Sequence, residues 1–78
     1  MKVPRDLSAS DLIRQLKRFG YEVTRQSGSH IRLTTQQNGE HHITVPNHDP
    51  LKVGTLNAIL NDVANHLSLE RSEILKKK

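Results

Sequence analysis

The chain contains no cysteine and no tryptophan. Disulfides, thiolate metal sites and thiol nucleophiles are excluded, so stability must come from packing alone. Aromatic residues are almost as scarce, with one phenylalanine, Phe19, and one tyrosine, Tyr21. The core must be built from Leu, Ile and Val in a sequence that is only 33% hydrophobic. No apolar run approaches the roughly 20 residues of a membrane span, and Met1 to Asp6 lack the apolar centre of a signal peptide. The reading is a soluble, cytoplasmic protein without membrane association. At 78 residues there is material for one domain, since a second core would need far more apolar surface. A domain this small buries only roughly 60–65% of its unfolded surface, which makes its stability modest.

What is present is basic. Twelve Lys and Arg against eight Asp and Glu give a net charge of +4, and five histidines accompany them. This favours a polyanionic partner, although many cytosolic domains carry as much charge.

Ser8 followed by Asp11 forms a capping box, and Ala9, Leu12, Ile13, Leu16 and Phe19 then recur at helical spacing until Gly20 ends the helix. Arg14, Lys17 and Arg18 make a basic stripe on its other side. After Gly20 the period falls from 3.6 to 2. Tyr21 and Val23 alternate with Glu22 and Thr24, Ile31 and Leu33 with His30, Arg32 and Thr34, and Ile43 and Val45 with His42 and Thr44. Ser27-Gly28-Ser29 and the Asn38-Gly39 pair supply the turns, and Pro46 closes the third strand. Residues 46–54 read as a loop. Thr55 then caps a long helix with the apolar stripe Leu56, Ile59, Leu60, Val63, Ala64 and Leu67, and Ser68 opens a short last helix ending in Lys76, Lys77 and Lys78.

The expected architecture is α+β, α-β-β-β-α with a short C-terminal helix, in two layers: both helices cover the apolar sheet face. Residues 1–7 are expected to be a flexible arm and residues 8–78 the single domain. The uncovered face collects Glu22, Thr24, His30, Arg32, Thr34, His42 and Thr44, which is polar, mildly basic and rich in imidazole.

That face is the one open to a substrate. Gly28 beside His30 leaves room for another backbone to approach. An imidazole, ordinarily titrating near about 6.5, can take a proton from a ribose 2′-hydroxyl, and Arg32 on the same face can stabilise the charge that then builds on phosphorus. By itself, a lone exposed strand histidine is more often inert. His41 and His42 point to opposite faces and cannot share an ion; His42, His48 and Asp49 match no zinc spacing, so no metal and no cofactor is expected. Lys52 and Thr55 flank Gly54 at the start of the long helix, where free backbone N–H groups favour a phosphate.

Four segments taken together resemble the HicA (YcfA-like) mRNA interferase toxins. They are the helix ending in Gly20-Tyr21, Arg25-Gln26-Ser27-Gly28-Ser29-His30, Ile43-Thr44-Val45-Pro46-Asn47-His48, and Leu51-Lys52-Val53-Gly54-Thr55-Leu56-Asn57-Ala58-Ile59-Leu60. The resemblance spans about residues 8 to 75. It implies a double-stranded-RNA-binding-domain-like fold, metal-independent cleavage of mRNA within a type II toxin–antitoxin system, and a HicB-type antitoxin that covers the active site. Carried over, the family's histidine falls on His30 as catalytic acid/base, with Gly28, Ser29, Arg25, Arg32, Lys52 and Thr55 expected to hold RNA. Val53 stands where many members have proline, and Asn65-His66 where a glycine usually separates the long helix from the tail. The competing reading is a non-catalytic module that grips double-stranded RNA through Arg14, Lys17, Arg18 and Lys52.

Overall fold

The computed structural model describes residues 7–75. Residues 1–6 and the lysines at 76–78 lie outside the described residues. The elements run α1 (Ala9–Lys17), β1 (Glu22–Ser27), β2 (His30–Thr35), β3 (His41–Pro46), α2 (Val53–Leu67) and α3 (Arg71–Ile74). The three strands form one antiparallel sheet in the order β1-β2-β3.

α1 starts where the capping box places it. The Asp11 N–H donates to Ser8 Oγ at 3.1 Å and the Ser8 N–H to Asp11 Oδ2 at 3.4 Å. These Ser8 hydrogen bonds, the side-chain one foremost, hold the Asp11 carboxyl below its usual range. The helix is closed by the Gly20 N–H donating to Lys17 O and the Tyr21 N–H to Leu16 O, with Gly20 left-handed at φ +84°.

The inner sheet face carries Ile31, Leu33, Ile43 and Val45, and against it pack Leu12 and Leu16 of α1 and Leu56, Leu60 and Val63 of α2. Tyr21 and Ile74 complete the core, both fully buried. The result is the expected two-layer α+β fold of the double-stranded-RNA-binding-domain-like class. Leu7 is half-buried against this core, and its carbonyl accepts from the Leu51 N–H at 2.8 Å.

Three local expectations are corrected. Thr55 is not the cap of α2: the helix begins three residues earlier than expected, Lys52 is the N-cap residue, and Thr55 sits in the first turn. Ser68 does not open the last helix but ends α2, left-handed at φ 58°, with the Leu69 N–H donating to Ala64 O; it takes the place where glycine is usual, and Glu70 caps α3 instead. Asn38 and Gly39 are not the two central residues of a tight hairpin. The Gly39 N–H donates to Gln36 O, which puts left-handed Asn38 at the third place of a four-residue turn within a longer loop.

Candidate nucleic-acid interface

The β1–β2 corner is a two-residue hairpin, with Ser27 opposite His30 and Gly28-Ser29 between them. Gly28 has φ +58° and Ser29 is not left-handed, the type II′ pattern that demands glycine at the first turn position. Nothing lies within 4 Å of where a Gly28 Cβ would sit, so this turn projects into open space. Its base is tied down by the Asn47 N–H donating to Ser29 O at 2.6 Å.

Inward Ile31 and Leu33 force His30, Arg32 and Thr34 outward, and Ile43 and Val45 do the same for His42 and Thr44. β1 contributes through an irregularity that alternation alone does not reveal. Val23 opposes Leu33 and Arg25 opposes Arg32, which makes Thr24 the extra residue of a β-bulge. Without it Arg25 would oppose Ile31 on the covered face. With it, Arg25 stands on the open face directly across from Arg32, and Arg32 in turn stands across from Thr44. Ser27, His30 and Pro46 form the next row toward the corner, about 7 Å along the strands. The bulge also leaves Val23 on the covered side but 44% exposed at the sheet edge.

The row on the other side of the arginines is polar and connected. Thr24 Oγ1 is hydrogen-bonded to Thr34 Oγ1 at 3.0 Å, Thr34 Oγ1 to His42 Nδ1 at 2.7 Å, and His42 Nε2 lies 3.0 Å from Glu40 Oε2. His42 is therefore engaged within the protein, whereas His30 stands exposed at the projecting corner. Among the described residues, no three His, Asp or Glu side chains converge as metal ligands.

His41, on the covered side of β3, has another role. The Tyr21 hydroxyl donates to His41 Nδ1 at 2.8 Å, and His41 Nε2 lies 3.2 Å from Asp62 Oδ1. The His41 ring stacks on His66 with centroids 4.3 Å apart. His66 Nε2–H is shared between Gln37 O and Gly39 O, while Asn38 Nδ2 donates to His66 O. These contacts pin the β2–β3 loop to the end of α2. Burial first, and the Asp62 charge second, push the Tyr21 hydroxyl up to about 12.

The His41–Asp62 contact and a cleft shared by Thr44 and Ala58 make α2 antiparallel to β3. The start of α2, with Lys52, consequently lies at the end of the sheet where Pro46 pairs with His30. The expected site residues thus divide. Gly28, Ser29, Arg25, His30 and Arg32 share one corner and face of the sheet, while Lys52 and Thr55 lie at the same end in the helical layer. In the α1 stripe, Arg14 pairs with Asp11 at 3.2 Å, and Arg18 donates to Gln15 and covers the Phe19 ring. Thr44 is expected on the open face but without a site role, and Asp62 is not expected there at all. Alternation places Thr44 beside the arginines, but Asp62 reaches β3 only through tertiary packing.

A two-layer domain with one helix-covered face, and an open face bearing a basic row beside an exposed histidine, belongs to the double-stranded-RNA-binding-domain-like class. The family model of the HicA toxin of bacterial toxin–antitoxin matches residues 9–64, from the first residue of α1 to the start of the last turn of α2. The chain belongs to the HicA toxin family and is the toxin component of a toxin–antitoxin system. No curated protein and no solved structure matches it. Among the described residues, no helix is long and apolar enough to cross a membrane.

Proposed function

We propose that this toxin is a cytoplasmic endoribonuclease that cleaves mRNA, with His30 as its acid/base group. The exposed imidazole of His30 stands one row from the paired guanidinium side chains of Arg25 and Arg32, on a face that no helix covers. The projecting Gly28-Ser29 turn lets an RNA strand reach His30 without meeting a side chain at Gly28.

His30 takes the proton of a ribose 2′-hydroxyl, and the freed oxygen attacks the adjacent phosphorus. The P–O5′ bond breaks as the P–O2′ bond forms, leaving a 2′,3′-cyclic phosphate, and the departing 5′-oxygen takes up one proton from solvent. Arg25 and Arg32 stabilise the added negative charge at phosphorus. Lys52 and the first turn of α2 at Thr55 hold a flanking phosphate. The protonated His30 then releases its proton to solvent; no step in this sequence calls on a metal ion, so cleavage should persist in EDTA. A HicB-type antitoxin neutralises the toxin by covering the same open face.

The test is an RNA digest in EDTA with wild type and His30→Ala. Since one acid/base group contributes about 10²- to 10⁴-fold, the variant should cut slower by that factor with unchanged circular dichroism. Cutting by His30→Ala at the wild-type rate would refute the role of His30, and uncut RNA with wild type would refute the activity.

A further inference from the structure

Between the outer edge of β3 and α2 lies a cleft of about 300 Å³ that the reading above leaves unused. This is the lower end of the range of ligand pockets, about 300–1,000 Å³, and suits a flat group the size of one ring system. Its walls differ in character. Ala58 and Ile59 of α2, with Ile43 of β3, make an apolar side. Arg32, His42 and Thr44 of the open face make the other, and the Asp62 carboxylate stands at the rim.

Arg32 belongs both to this cleft and to the basic row beside His30. A strand whose phosphate lies on Arg25 and Arg32 therefore has the cleft within one nucleotide's reach. His42 offers an aromatic face at a fixed angle, because Thr34 holds its Nδ1 and Glu40 lies at its Nε2. Asp62 contacts His41 through Oδ1 and is half exposed, which leaves acceptor capacity directed to solvent.

We propose that this cleft is a base pocket: it takes the nucleobase beside the phosphate held by Arg25 and Arg32, stacks it on His42, and reads its edge with Asp62. A carboxylate accepts but does not donate. It favours adenine, cytosine and guanine, each of which carries an exocyclic amino group, and disfavours uracil, whose single edge N–H is flanked by two carbonyls. The cleft thereby sets the cleavage preference, and in this it rests on the nuclease reading.

Two measurements decide it. In the first, ¹⁵N-labelled His30→Ala protein is titrated with AMP, CMP, GMP and UMP. Amide shifts should centre on Thr44, Ala58, Ile59 and Asp62, with UMP binding at least several-fold more weakly. Shifts elsewhere, or equal affinity for all four, would overturn the pocket. This holds even if the wild type proves to cut no RNA, a result that would overturn only the nuclease reading.

In the second, the exposed Ala58 is replaced by tryptophan to fill the cleft. Ala58→Trp should cut RNA with the discrimination between amino-bearing and uracil sites reduced to under about two-fold. Site ratios identical to wild type would overturn the proposal and leave the nuclease reading standing. Unchanged ratios combined with weakened antitoxin binding would instead assign the cleft to the partner.

Discussion

Gly20 and Gly28 are both left-handed, yet only one of them is also hemmed in. A Cβ at Gly20 would sit 2.9 Å from Thr35 Oγ1, whose hydroxyl already donates to Phe19 O, while Gly28 faces open space. Gly20→Ala should therefore cost about 2–3 kcal/mol and Gly28→Ala about 1 kcal/mol, compared by denaturant unfolding. Tyr21 carries a pH signature. In the unfolded chain its hydroxyl loses a proton near 10, but the folded protein holds it to about 12. Stability from this group is complete below pH 10 and is lost as pH rises from 10 to about 12. Tyr21→Phe should remove that alkaline slope, as a plot of unfolding free energy against pH would record. At the open face, Arg25→Ala should slow RNA cleavage by about 10²-fold, the usual effect of removing one group that stabilises transition-state charge. A rate within two-fold of wild type would show that the bulge does not serve the site.

Among the elements, α1 and the apolar stripe of α2 follow directly from spacing, because each buries one continuous face. Their ends are less legible. Lys52 caps α2 without a side-chain hydrogen bond and Ser68 takes a conformation usually left to glycine, choices made by the loops on either side. β1 is the element that sequence describes least well: it is exposed at every position, and its bulge depends on pairing with β2. The β2–β3 loop depends on a residue 27 positions away, since His66 holds the Gly39 carbonyl across that separation. His66→Ala should cost about 1–2 kcal/mol and speed amide exchange over residues 36–40, measured by hydrogen–deuterium exchange. Unchanged exchange there would mean that the loop holds its own shape.

At the scale of the whole molecule the reserve of stability is small. Leu60 is fully buried where α2 meets the sheet, and Leu60→Ala should cost about 2–5 kcal/mol, a large part of the total for a domain of this size. The isolated variant should melt well below wild type in a thermal scan, and a bound antitoxin should restore much of the difference by mass action. The helix stripes, the alternation of three strands and the absence of cysteine were enough to determine the two-layer fold, and they turned His30 outward, because burying one face fixes the other. Spacing did not determine that His30 acts on RNA; the family resemblance added that expectation. What only the tertiary structure decided is which residues stand together. Strand pairing brought Arg25 across from Arg32, and helix packing carried Asp62 and Ala58 to the edge of β3. Local periodicity describes the face on which a residue lies, whereas bulges and contacts between elements follow from the free energy of the whole packed arrangement.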